Sequence, residues 1–343
     1  MKRLASIALV MLLLGSLPAG ANAQIINLRV ADTLPTGSVL LNSYVKPYME
    51  TVEKESKGQI KFQHFPGGQL GKAADMLTLT QSGLVDIGYI VPTYISDKMP
   101  LTSVMEVPGA MGDDYCRSIR VVWKMTHSGG WLEKNEFHPN RVIPLLTLMY
   151  PSYQIIVTSG RKVESLKDLA GLKMRTAGGS VEYLMNNLGM IPVKVAVSES
   201  YDAMARGTID GSFSPLLSLA PYGVDGLVKT YSTNASFGAA VLTYSIGEVK
   251  FKQLPEKVRA LLLKVGEEVS LASCKKFTSG ELEAQAMLKS KGANHFQFSK
   301  EDQKRIAVAN IATIVDWATA LDKRGKPGTA TVDALRKTLA ETQ

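Results

Sequence analysis

The sequence is poor in the residues that usually announce catalysis. Its four histidines, His64, His127, His138 and His295, share no spacing with an acid or a nucleophile. A His-Glu-x-x-His helix, a Gly-x-Ser-x-Gly elbow and a Gly-x-x-x-x-Gly-Lys loop are missing. Their absence removes the best-marked routes to zinc hydrolysis, acyl transfer and nucleotide phosphate binding. Gly178-Gly179 follows a strand pattern and resembles a fragment of a dinucleotide loop, but the third glycine is missing. Cys116 and Cys274, the two cysteines, carry no nucleophile signature. They are distant in sequence, so a disulfide and two buried thiols both stay open. The expectation is a protein that is not an enzyme and needs no cofactor.

Charge is not concentrated. There are 39 Lys and Arg against 31 Asp and Glu, a net charge of +8. The basic residues are scattered without interleaved aromatics, which argues against nucleic-acid binding. One long apolar run occurs, from Leu4 to Leu17, behind Lys2 and Arg3 and ahead of Pro18, Gly20 and the small-residue site Ala21-Asn22-Ala23. That order predicts a cleaved signal peptide over residues 1–23. The run is shorter than the roughly 20 residues a spanning helix needs, and no Cys follows it for lipid attachment. Removing residues 1–23 leaves 320 with a net charge of +6, more than one core usually serves, so two lobes are expected.

Strand and helix patterns then alternate, predicting an α/β protein. Ile25 to Ala31 reads as a strand, Leu40 to Lys54 as a helix, Gln59 to Phe65 as a strand and Leu70 to Ser82 as a helix closed by Gly83. The same grammar returns with a strand at Leu172 to Arg175, a helix ending near Leu188, a strand from Ile191 and a short helix from a Ser198 cap to Arg206, closed by Gly207. The unit of helix, Gly, x, Val or Ile, Asp thus occurs twice, at Gly83 to Asp86 and at Gly207 to Asp210. The pattern from Pro255 to about Ser290 predicts one very long helix, with Val258, Leu262, Val265, Val269 and Ala272 on its buried side. Ser299-Lys300-Glu301-Asp302 reads as a capping box before a further helix, and a last helix spans Val332 to Glu341.

Arg175 closes a predicted strand just before a glycine-rich loop. Ligands of open α/β sheets bind beyond such strand ends, and an arginine there can hold a carboxylate through two parallel hydrogen bonds. The helix start after Gly179 would add free amides. A surface ion pair with Glu199 or Asp202 is the equal alternative.

The chain resembles the DctP-type substrate-binding proteins of tripartite ATP-independent periplasmic (TRAP) transporters. The runs that carry the likeness are Phe65 to Gly71, Gly83 to Ile87, Leu166 to Arg175, Asp202 to Gly211 and Leu254 to Arg259. The resemblance implies a two-lobed periplasmic binding protein with a long inter-lobe helix and C-terminal helices. Lobe one would be residues 24–150 and 240–280, and lobe two 151–239 and 281–343. It implies a monomer in the periplasm that closes around an organic acid and delivers it to TRAP membrane subunits. Arg175 falls on the family's carboxylate clamp. A second family arginine is replaced by Gln154 or a near neighbour, and a pocket asparagine by Ser214. These departures suggest a monocarboxylate or a less polar acid, not a sialic-acid-like sugar. Tyr89, Tyr94, Tyr153 and Phe237 could form aromatic walls, and Asp32 could accept from a ligand hydroxyl or simply shape a turn.

Overall fold

A computed structural model describes residues 25–112 and 114–343. The expected signal peptide lies outside them. In chain order the strands are β1 (Ile26–Ala31), β2 (Ile60–Phe65), β3 (Ile87–Ile90), β4 (Val142–Met149), β5 (Gln154–Val157), β6 (Lys173–Thr176), β7 (Ile191–Lys194), β8 (Gly211–Ser214), β9 (Thr230–Ser232), β10 (Val241–Gly247) and β11 (Asn294–Phe296). The α-helices are α1 (Lys46–Glu55), α2 (Met76–Gln81), α3 (Tyr115–Thr126), α4 (Ser180–Asn187), α5 (Ser200–Ala205), α6 (Glu248–Gln253), α7 (Glu256–Ser290), α8 (Lys300–Lys323) and α9 (Gly328–Ala340).

Two mixed sheets result, in the orders β2-β1-β3-β10-β4 and β11-β9-β5-β8-β6-β7. Each contains a parallel pair of the kind that a helical crossover produces, β1 with β3 and β6 with β8. The repeated Gly-x-x-Asp unit closes both. Gly83 and Gly207 take left-handed backbone, φ 75° and 67°, which stops the preceding helix at little steric cost. Asp86 then accepts from the backbone N–H of Arg29, and Asp210 from that of Lys173, at 2.8 and 2.9 Å. Each aspartate pins its strand to the neighbouring parallel one.

Two extended passages link the sheets, from β4 to β5 and from Phe237 to β10, and α7 makes a third crossing between β10 and β11. The two passages bond to each other through Tyr150 N to Ala240 O, 2.9 Å, and Tyr153 N to Gly238 O, 2.7 Å. Helix α7 packs on α1, α3 and β4 and reaches the Leu216–Ser218 turn that follows β8, so it runs along both lobes. Its approach to β4 depends on Gly266, because a Cβ there would strike the Leu145 carbonyl. The expected apolar stripe drifts along so long a helix. Val258, Leu262 and Val265 are buried, but Ala272 is exposed, and Ser270, Ser273, Cys274 and Phe277 face inward in its place.

Cys116 of α3 and Cys274 of α7 form a disulfide, which settles the question their spacing left open. Around it, Phe277 packs against the rings of Tyr44, Tyr115 and Tyr150. Helix α8 packs on α4, whereas α9, expected with lobe two, rests on α3 and accepts from Arg117 through the Leu339 and Thr342 carbonyls. The helix expected from Leu70 begins only at Ala73, as a 3-10 turn, since Gly71 and Lys72 are extended. Ser198 does not cap α5, which starts from Glu199 without a side-chain cap. Ser299 does cap α8, accepting from Asp302 N at 3.1 Å.

Candidate functional site

Arg175 is 4% exposed, so it is no surface arginine. Its Nε donates to Val195 O at 2.8 Å and one terminal nitrogen to the Tyr94 hydroxyl at 3.3 Å. Among the described residues, no carboxylate comes within ion-pair distance of it, Glu199 and Asp202 included. A guanidinium carries five N–H donors, and these two partners leave its remaining fork uncommitted.

Arg175 lines a cavity with Tyr89, Tyr94, Tyr150, Tyr153 and Tyr222. Val91, Ala177, Val197, Pro215, Ala240 and Leu242 fill its apolar wall, and Ser214 and Ser218 add two hydroxyls 3.2 Å apart. Burial holds the phenols of Tyr89, Tyr150, Tyr153 and Tyr222 well above the ordinary tyrosine range, so they stay neutral. Among the described residues, no second ionic side chain lines the cavity. One fixed positive charge therefore sits in an aromatic box, a setting that suits a planar anion.

The cavity is tight, about 20 Å³, room for one water molecule. It is shut by contacts between the lobes. The Tyr94 hydroxyl, presented by the turn after β3, accepts from both Arg175 and Val197 N. Ser180 Oγ donates to Ser103 O at 2.8 Å, and Trp317 Nε1 to Ser103 Oγ at 2.9 Å. Gly178 and Gly179 have φ of 110° and 71°, and a Cβ on either would collide with Thr93. Their role is close inter-lobe packing. The start of α4 thus abuts Thr93 and Ser103 and is not among the cavity walls, contrary to the expected amide contribution.

Five anticipated residues meet at this cavity: Arg175, Ser214, Tyr89, Tyr94 and Tyr153. Three do not. Gln154 lines a different cavity. Phe237 is fully buried in the core against Phe213 and Phe298. Asp32 is also fully buried. It accepts from Leu34 N at 2.9 Å and from the Tyr244 hydroxyl at 2.9 Å, with His64 Nε2 at 2.6 Å. Of its two readings, the structure realises the turn. Tyr150 and Tyr222 were not anticipated. Tyr150 adjoins the Pro151-Ser152-Tyr153 run at the crossover, which was its one available signal; Tyr222 sits in an irregular turn and had none.

The family model described as "Bacterial extracellular solute-binding protein, family 7", DctP, matches residues 30–318. The chain belongs to this family. It is a solute-binding protein and not an enzyme. A curated relative, the sialic acid-binding periplasmic protein SiaP of Vibrio cholerae, is 26% identical over 86% of this chain and 89% of that one. Among solved structures, a TRAP solute-binding protein of Rhodoferax ferrireducens with copurified benzoate superposes with a TM-score of 0.83. It is 21% identical, over 92% of this chain and 98% of that one. A marine-metagenome TRAP protein described as specific for aromatic acids, with 3-hydroxybenzoate bound, also scores 0.83. It is 20% identical, over 93% and 99%. These likenesses show the fold of this family 7 protein to be that of TRAP solute-binding proteins. Among its described residues, no helix is long and apolar enough to cross a membrane.

Proposed function

We propose that this protein captures an organic acid in the periplasm, a monocarboxylate with an aromatic or otherwise apolar body, and hands it to TRAP membrane subunits. The observation that carries the reading is Arg175: a buried guanidinium without a carboxylate partner, facing an aromatic cavity with no other charge. A buried charge is costly until it is paired, and a ligand carboxylate would complete the uncommitted fork. The benzoate and 3-hydroxybenzoate held by the two similar structures fit this chemistry. Tyr89, Tyr150 and Tyr153 would hold the ring, with Ser214 offering a hydroxyl. SiaP's sialic acid is a poorer fit, because one fixed charge and five phenols favour a flatter and less polar acid.

A cavity of this size cannot admit an acid as it stands. The lobes would separate by releasing Tyr94 and Ser103, admit the acid, and close again on contacts made only in the closed state. Lobe one would comprise residues 24–150 and 240–280 with α9 resting on it, and lobe two residues 151–239 and the chain from 281 through α8. The closed form would then dock on the permease as a monomer.

A thermal-shift panel tests the ligand class. Benzoate, 3-hydroxybenzoate and mandelate should raise the melting temperature in proportion to the logarithm of concentration, whereas benzamide, the same ring without the charge, should not. Equal shifts with benzamide, or none with any carboxylate, would overturn the reading. Transport of the acid in membranes carrying the permease tests delivery.

A further inference from the structure

Behind Tyr150 lies a second cavity, about 440 Å³, well within the range of small-molecule sites. It is set between α7, α8, the start of α3 and the two inter-lobe passages. Tyr150 belongs to the walls of both cavities. Met105, Met111 and Met149 supply an adaptable apolar lining. Among the described residues, no lysine or arginine lines this space, and the one ionic side chain is Glu281. Glu281 accepts from Leu216 N and Leu217 N at 3.2 and 3.1 Å, which leaves each oxygen a free lone pair. Asn310 Oδ1 is shut off from solvent and accepts no hydrogen bond from the described residues. The site therefore offers acceptors and an acidic group, the reverse of the cavity in front of Tyr150.

We propose that this rear cavity is a second small-molecule site. It takes a compact apolar molecule that carries a protonated amine, and its occupation weakens acid binding in front of Tyr150. Burial pushes the pKa of the Glu281 carboxyl up to about 7; an ammonium seated beside it holds it ionised, and that pairing selects the amine, with the unpaired Asn310 oxygen as a further acceptor. The effect on the acid follows from room. The front cavity is full, and the rear cavity is the space into which the Tyr150 ring can retreat when an acid enters. A molecule seated there blocks the retreat, and linkage makes the effect reciprocal. This second half rests on the carboxylate reading of the front cavity; the site itself does not.

The test uses benzylamine as the probe and protein labelled with ¹³C at the methionine methyls. Among the described residues, no methionine lines the front cavity, so the methyls of Met105, Met111 and Met149 report the rear one. They should shift together on titration. Glu281→Gln, which keeps an oxygen for one backbone amide, should weaken binding by about tenfold. Thr278→Trp, placed at the exposed rim on α7, should abolish it, with the fold checked by its melting curve. Arg175→Ala should leave benzylamine binding unchanged. Unmoved methyls, or identical titrations in Thr278→Trp, would overturn the site. Benzoate affinity should fall as benzylamine saturates, and a constant affinity would overturn the coupling. If no acid binds even without benzylamine, the acid reading fails, and the methionine shifts still decide whether the rear site exists.

Discussion

The two lobes present the same strand end with opposite outcomes. The aspartate staples align Arg29 of β1 with Lys173 of β6, so Ala31 corresponds to Arg175 and Asp32 to Thr176. The correspondence extends to detail: Asp32 Oδ1 accepts from the N–H two residues on, Leu34, and Thr176 Oγ1 from that of Gly178. Both strand ends carry or adjoin a charge, and both were candidates for ligand binding. Asp32 is satisfied within the protein by Leu34 N, Tyr244 and His64. Arg175 has a carbonyl and a phenol but no counter-charge. Position at a strand end does not decide between a structural and a binding role. The state of the hydrogen-bond partners does.

The largest effects should separate these two charges completely. Arg175→Ala should leave the fold intact and lose about 2–5 kcal/mol of acid affinity, on the order of 30-fold or more. Lysine at 175 should also bind more weakly, because a point charge does not reproduce the planar fork. Asp32→Ala should do the reverse. It strands a histidine, a phenol and a backbone amide, and should cost roughly 3 kcal/mol or more of stability while the folded fraction binds acid normally. Urea melts and calorimetry on both variants give four readings. The comparison breaks if Asp32→Ala folds like the parent and loses ligand.

The disulfide comes next. It joins residues 158 apart, so replacing both cysteines by alanine should cost about 2–4 kcal/mol through the unfolded chain. Acid affinity should barely change, because neither cysteine lines the cavity of Arg175. A marked affinity loss would mean that this anchor also sets lobe closure. The aspartate staples should then differ by less. Asp86 adds ion pairs with Arg29 at 3.1 Å and Lys250 at 3.6 Å; Asp210 has no such partner among the described residues. Arg29 is substantially exposed and screened, so Asp86→Asn should cost only about 1 kcal/mol more than Asp210→Asn. Equal melts would show that the backbone staple carries the whole effect.

How much of this was legible in the sequence follows the range of the interaction. The repeated Gly-x-x-Asp unit, the length of α7 and the Ser299 cap are local patterns, and each formed as read. Arg175 was visible because a strand, its end and a glycine pair adjoin in the chain. What local pattern could not place needed distant partners. The roles of Asp32 and Phe237 depend on Tyr244, His64, Phe213 and Phe298, which no local pattern attaches to them. Gln154 sits one strand residue beyond the crossover and faces the rear cavity, a side that only the joining of two lobes defines. Tyr222 belongs to a run of short 3-10 turns with no period to read. The disulfide needed α3 and α7 to be placed side by side.

The smallest effect concerns the phenol that touches Arg175 in the closed form. The Tyr94 oxygen accepts from Arg175 at 3.3 Å and from Val197 N at 3.2 Å. With both accepting positions used, its own hydrogen is left to donate toward an incoming carboxylate. Tyr94→Phe removes that donor together with one inter-lobe tie, while the ring still fills its place. Acid affinity should fall by about 1 kcal/mol, roughly fivefold, with unfolding little changed. If the phenol instead competes with the acid for the arginine fork, Tyr94→Phe would bind acid more tightly than the parent. A calorimetric titration of one ligand into the two proteins separates the cases by sign alone. That sign tells whether the uncommitted donors of Arg175, the feature that distinguishes this strand end from Asp32, are waiting for the acid or are partly occupied until it arrives.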